Sequence, residues 1–258
     1  MHCHKLPYCV FKGEKNMGIS RPAIKQNAKL LITTTKPSPI LVGLVYLAIT
    51  FILRFLSYAV SGDLKSYMDT MNLYYAGKVN LDQIISGEYV PALPVVGAWG
   101  KLLGFAIFLM LVMMSIGFTI YCLHICQFRK AGFGNLFDGF AIFLKAIWLE
   151  FIMIFFIFLW SLLLIVPGII AAYRYRMAFY IMIENPHMGA LDCILASKQM
   201  MTGHKGELFV LDLSFLGWAL LSIVPFVIIW VVPYYNITCT NYYLALRDLP
   251  KPIFDAQI

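Results

Sequence analysis

Five ionisable residues lie inside long apolar runs: Arg54, Glu150, Arg174, Arg176 and Asp212. In a bilayer each costs ~2.5–3.5 kcal/mol at mid-helix on the insertion scale, so each needs a partner or a task. Two chemistries answer that need. Pairing Arg174 or Arg176 with Glu150 or Asp212 offsets much of the penalty and ties helices together. The same groups beside an aqueous path would carry an ion or a small solute. Arg174 and Arg176 stand about 200° apart on a helix, so they cannot share one partner face. A second polar cluster, Asn236, Thr238, Thr240 and Asn241, follows Pro233. In a kinked helix such side chains line a pathway or hydrogen-bond between helices, and we expect the latter.

Catalytic patterns are missing. The chain has no H-E-x-x-H, no G-x-S-x-G and no phosphate loop, and Gly132-x-Gly134 is too short for a dinucleotide fingerprint. Glu150, Asp212, His187 and His204 are acids and bases with no paired nucleophile, so we expect neither an enzyme nor a cofactor. The six cysteines form no disulfide framework, since none lies in the long loop 61–99. Cys122 and Cys126 share a helix face that supplies too few ligands for a metal. The run His2-Cys3-His4 lacks a distant fourth ligand, so no metal is expected there either.

The elements that hold these residues follow from composition. Of 258 residues, 61% are hydrophobic and only 13% charged, with mean hydropathy +0.78. Soluble domains carry roughly 45–50% apolar and about 25% charged residues. Disorder, a collagen-like fibre, a disulfide-stapled secreted module and an ordinary cytosolic enzyme are thereby excluded. The apolar runs are continuous rather than alternating, which argues against a membrane β-barrel. The expected class is all-α: a polytopic membrane protein of about six transmembrane helices, two interfacial amphipathic helices and a duplicated hairpin in the C-terminal half.

The net charge is +7, and its placement is informative. Residues 1–39 hold Lys5, Lys12, Lys15, Arg21, Lys25, Lys29 and Lys36 against the single acid Glu14. Such a flank is drawn to anionic lipid headgroups on the cytoplasmic face. The other basic residues form no stripe, so nucleic acid is not an expected partner.

Residues 1–19 read as a leader without periodicity, with Met17 a plausible true start. Ser20 is placed to cap a helix with Pro22 in its first turn. Ile24, Ala28 and Leu31 then share a face beside Lys25 and Lys29, the pattern of an interfacial helix with aliphatics toward acyl chains. Spans are expected at about 40–60, 102–126, 141–166, 168–184, 207–224 and 226–246. A second surface helix is expected over 188–202, ending at Gly203, and a cytoplasmic tail over 249–258. One domain thus covers 20–248. The segment 168–184 is short and carries both Arg174 and Arg176, yet a six-span reading leaves only Lys65, Lys78 and Lys101 on the far face. Making it re-entrant would divide the Lys/Arg about evenly, against the positive-inside rule. Both termini are therefore expected in the cytoplasm.

Within the second half, Trp160-Ser-Leu-Leu-Leu-Ile-Val-Pro167 recurs as Trp218-Ala-Leu-Leu-Ser-Ile-Val-Pro225, with six identities in eight. One residue out of step, Glu150, Phe158 and Leu159 match Glu207, Phe215 and Leu216. Two copies of one helical hairpin in parallel orientation explain this.

The pattern Val166-Pro-Gly-Ile-Ile, Tyr173, Met177, Tyr180-Ile, Asn185-Pro, Gly189-Ala-Leu, Ser197-Lys, Met200-Met-x-Gly203-His-Lys205, Leu208-Phe and Leu211-x-Leu-Ser-Phe-x-Gly-Trp218 resembles a bacterial integral-membrane family known as domain of unknown function 975. The connector Phe133-Gly-Asn-Leu-Phe-Asp-Gly-Phe140 with Lys145-Ala146 fits it, and Ile24-Lys-Gln-Asn-Ala-Lys29 fits more loosely. The resemblance implies a multi-pass plasma-membrane protein, mostly of Gram-positive lineages, with no assigned activity. The family is also distantly similar to membrane domains fused to some glycerophosphodiester phosphodiesterases, whose hydrolase domain has no counterpart in this sequence. Arg174 and Arg176 depart from the pattern, which favours small or polar residues there.

The expected role is a non-catalytic membrane accessory or scaffold component with a protein partner or a second copy of itself. A transporter or channel for a small solute or lipid, built on the intramembrane charges, is the alternative.

Overall fold

The computed structural model describes residues 20–87 and 98–249. The expected leader 1–19, the loop segment 88–97 and nearly all of the expected tail lie outside the described residues. All regular structure among the described residues is helical. The chain divides into two units, one comprising residues up to 44 together with 116 onward, the other residues 45–115.

In the first unit, α1 (Arg21–Thr34) opens with Pro22 in its first turn. Ser20 takes the N-cap position with an extended backbone, but its side chain makes no capping hydrogen bond, contrary to expectation. The aliphatic face is the one read from the sequence: Ile24, Ala28, Leu31 and Ile32 are buried. Its partner differs, because that face packs against α12 (Pro225–Arg247) rather than lipid. Protein surface offers apolar contact as good as acyl chains and denser packing. The Lys25 ammonium lies 4.6 Å over the Phe215 ring. Burial, then Lys29 and Arg21, hold the Lys25 amine below its ordinary value.

Helix α2 (Pro39–Val60) begins in this unit, where Gly43 packs against the ring of Pro233. In the second unit α2 continues to Val60, and Gly62, at φ 81°, turns the chain into α3 (Asp63–Tyr75). The short α4 (Leu81–Ile85) starts at Asn80, whose backbone N–H donates to the Gln83 side-chain carbonyl at 2.9 Å. Helix α5 (Ala98–Cys126) starts in the second unit and ends in the first.

After α5 a 3-10 segment, Phe133–Ile142, lies so close to α5 that a Cβ on Gly117 would collide with the carbonyl of Leu136. It runs into α6 (Phe143–Leu163), and the chain reverses at Leu164 into α7 (Ile165–Tyr175). Gly168 lets α7 fold back closely on α6, since a Cβ there would strike Ser161. Then come α8 (Ala178–Glu184), α9 (Ala190–Met200), α10 (Lys205–Leu213), α11 (Leu216–Leu221) and α12. The surface helix expected over 188–202 is α9, packed on α6, α7 and α8 through Ala190, Cys193, Ile194 and Ser197. Gly203, at φ 84°, ends its trailing turn as expected.

Three helical stretches are long and apolar enough to cross a membrane: Pro39–Val60, Ala98–Cys126 and Phe133–Leu163. The expected spans 168–184 and 207–224 are each two short helices, broken at 176–177 and 214–215. The first break has a physical cause. Ser197 of α9 donates its hydroxyl to the Arg174 carbonyl at 2.8 Å and accepts the Met177 N–H at 3.2 Å. A side chain inserted there replaces the helical ladder between α7 and α8. At the second break Phe215 N–H returns to the Asp212 carbonyl at 2.9 Å, a tight turn that ends α10. The last expected span is one helix of 23 residues, but its second half carries Asn236, Thr238, Thr240 and Asn241.

Candidate intramembrane charge site

Of the five charges expected within spans, two meet. Arg176 stands in the break between α7 and α8, and Asp212 on the last turn of α10. The Arg176 Nη1 donates to Asp212 Oδ2 at 2.6 Å. Tyr173, one turn before Arg176, donates its hydroxyl to the same oxygen at 3.1 Å. Tyr235 of α12 donates to Asp212 Oδ1 at 3.0 Å and accepts from Arg176 Nη2. Cys239 Sγ lies 3.9 Å from that same nitrogen. Three helical segments therefore close on one carboxylate, both of whose oxygens are engaged. The side chains of Arg176 and Asp212 are 31% and 18% exposed, so the cluster is half-sheltered rather than sealed.

The other three charges stay apart from it. Arg174 lies on another side of α7, as the 200° separation requires, and its buried Nε has no hydrogen-bond partner among the described residues. Glu150 is half-buried on α6 with no hydrogen bond or ion pair to another described residue. Arg54 is exposed on α2 in the second unit. The expected network of five is thus an ion pair with two tyrosines.

The polar residues of α12 mostly turn back onto their own helix. Asn236 Nδ2 donates to the Val232 carbonyl at 2.9 Å, Thr238 to Tyr234 at 2.7 Å and Thr240 to Asn236 at 2.8 Å. This i−4 pattern around Pro233 satisfies hydroxyls within the helix and bends it. Thr238, Thr240 and Asn241 are buried, so they line no open path within this unit. At Asn236, Thr238 and Thr240 the expected interhelical bonding gives way to back-bonding within α12.

A second polar knot was not visible in the sequence. Glu184, at the end of α8, accepts from Tyr243 at 2.5 Å and from Arg247 at 2.5 Å, both on α12, and from Gln127 just after α5. Arg247 also donates to Asp248 at 3.0 Å, and burial pushes the Asp248 carboxyl above its ordinary range. The Tyr180 and Tyr243 rings stack beside the knot, 5.0 Å apart. Glu184 and Arg247 each stand at the end of an apolar run, where a charge is ordinary, so neither spacing nor periodicity singled them out.

No group of three or more metal-ligating side chains converges among the described residues. Their four cysteines are all free and buried. The remaining acid–base contact, His204 Nδ1 to Glu207 Oε2 at 3.0 Å, joins neighbours on one turn.

Residues 161–250 match the family described as protein of unknown function (DUF975). This stretch holds α7 to α12, including Arg176, Asp212 and the Glu184 knot, and it bears out the resemblance carried by Val166–Trp218. No curated protein matches the chain, and no solved structure does.

Proposed function

We propose that this chain is a non-catalytic membrane component whose helical hairpins present a fixed surface to a protein partner or a second copy. One observation carries the reading: Asp212 accepts from Arg176, Tyr173 and Tyr235, so both of its oxygens are engaged in a charge-compensated pair. A group that relays protons or ions needs a free coordination position, whereas a pair of this kind holds elements in register. The exposed Arg21, Lys29 and Lys36 of the α1 region support attraction to anionic headgroups, with both termini on the cytoplasmic side of a bacterial plasma membrane. Nucleic acid is not among the partners in this reading.

A solute or lipid pathway is the second reading, favoured by the Glu150 carboxylate and Arg174 Nε, which have no partner among the described residues. Quantitative mass spectrometry of what accompanies the tagged chain from gently solubilised native membranes separates the two. The accessory reading expects a second polypeptide, or a second copy, at fixed stoichiometry. A solitary chain holding a small solute would overturn it.

A further inference from the structure

The second unit contains a cavity of about 610 Å³ between the end of α2, α3 and α4. Four tyrosines line it: Tyr58 from α2, and Tyr67, Tyr74 and Tyr75 from α3. Their hydroxyls make no hydrogen bond with another described residue. Ser66 and Thr70 add two aliphatic hydroxyls, and the Thr70 proton is already donated to the Ser66 carbonyl at 2.9 Å, leaving its lone pairs as acceptors. Met71, Leu81 and Ile84 form the apolar remainder. No lysine, arginine, aspartate or glutamate lines the cavity among the described residues.

The cavity is an open groove, with Tyr67 and Tyr75 exposed at its rim, and its volume falls within the range of small-molecule sites. Small-molecule cavities run roughly 300–1,000 Å³, mostly apolar and aromatic with a few polar groups. Among the described lining residues there is no cation to replace the hydration that an entering phosphate or carboxylate would lose, which favours an uncharged ligand. Phenol rings offer flat apolar faces, and their hydroxyls both donate and accept. That combination suits sugar-like groups, which present C–H faces and a rim of hydroxyls. Position supplies the source. Tyr58 lies two residues before the end of α2, a helix long and apolar enough to cross a bilayer, so the cavity opens where such a helix leaves the hydrocarbon. Tyrosine is enriched at that level of a membrane.

We propose that the cavity binds the uncharged, hydroxyl-bearing headgroup of a neutral glycolipid, with Tyr67 and Tyr74 against the ring and Thr70 accepting from its hydroxyls. This rests on α2 crossing the bilayer. It is independent of whether the chain is a scaffold or a transporter, so the two can fail separately.

The test uses the full chain in nanodiscs of phosphatidylglycerol and monoglucosyl diacylglycerol in equal amounts, followed by native mass spectrometry of retained lipid. The expected result is retention of the glucolipid over phosphatidylglycerol by about fivefold or more, the ratio that one net hydrogen bond of ~1 kcal/mol supplies. Replacing Tyr67→Leu and Tyr74→Leu together brings the ratio to that of the bulk lipid with melting unchanged. Thr70→Val alone, which preserves volume, lowers it if the double variant fails to fold. Displacement by excess methyl glucoside identifies the sugar as sufficient, while loss only through the variants identifies the lipid-anchored form as required. Equal retention of both lipids, or a ratio untouched by Thr70→Val and by the double variant, overturns the proposal.

Discussion

Replacing Asp212 by Asn removes the negative charge from the cluster while keeping its shape. Arg176 is then left with Tyr235 and Cys239 as partners and no counter-charge. Breaking a fully buried pair typically costs ~3–5 kcal/mol, most of it the penalty of the stranded charge. Exposures of 31% for Arg176 and 18% for Asp212 let solvent screen part of that, and surface pairs fall to ~0–1 kcal/mol. A value between these limits, ~2 kcal/mol, is expected, or a fall in melting temperature of about 4–8 °C for a chain of this size. Arg176→Gln strands the carboxylate instead, but Tyr173 and Tyr235 still donate to it, so its loss should be the smaller. The double variant carries no unpaired charge and should lie well above the sum, with a coupling of ~1–2 kcal/mol. Thermal unfolding of the four proteins in one detergent measures the cycle. Proton leak into proteoliposomes loaded with a pH dye measures transport in parallel. Additive losses would refute the pairing argument. An unchanged melting temperature with an abolished wild-type leak would refute the structural reading altogether.

Ser197→Ala removes both bonds that bridge the α7–α8 break, leaving the Met177 N–H and Arg174 carbonyl without them, and should cost ~1–3 kcal/mol in a melting experiment; Ser197→Thr tests whether a hydroxyl alone suffices. Gly117→Ala places a methyl against the Leu136 backbone, which cannot yield as a side-chain tip would, so loss of folded protein by size-exclusion chromatography is expected, whereas Gly104→Ala, with open space around it, should be silent. In the six-span orientation a cysteine at exposed Lys78 should react with an impermeant maleimide on intact cells and one at exposed Lys198 should not, with Cys3 and Cys9 replaced beforehand. Cys193 cannot serve as the inner reporter, being fully buried, and labelling of Lys198→Cys from outside would overturn the orientation.

Some of this was legible in the sequence because one local rule decided it. The face of α1 and the apolar length of α2, α5 and α6 follow from periodicity and run length, and the structure keeps them within a few residues. That Arg176 needs an acid followed from insertion cost alone. Which acid it takes did not. Asp212 and Glu150 are equally apolar in context, and the choice depends on how α7 rotates against α10. The break at 176–177 depends on a serine about twenty residues away, beyond the reach of any window along the chain. Tyr173 stood out only as part of the family pattern and Tyr235 not at all in a chain with 15 tyrosines, and neither carried a sign of its partner. For Asn236 and Thr238 the local option, a bond to the carbonyl four residues back, displaced the interhelical one, and that option was readable from the helix itself.

On the expected duplication of the hairpin, Arg176 and Asp212 come from different copies. The two chain reversals lie at Leu164 and at 222–224, where Leu164, Ile223 and Val224 are exposed. Arg176 lies twelve residues from its turn, and Asp212 and Tyr235 ten to thirteen from theirs, about 15–20 Å along a helix. That is near half of the ~30 Å hydrocarbon thickness. Glu184 and Arg247 lie about twice as far from the same corners, near the depth at which a span would leave the lipid. On the six-span expectation the two hairpins would carry polar rungs at matched levels, Arg176–Asp212 across the middle and Glu184–Arg247 at the base. A slip of a single turn, about 5.4 Å, would separate both pairs at once, so the charges specify register where apolar packing against lipid would tolerate sliding.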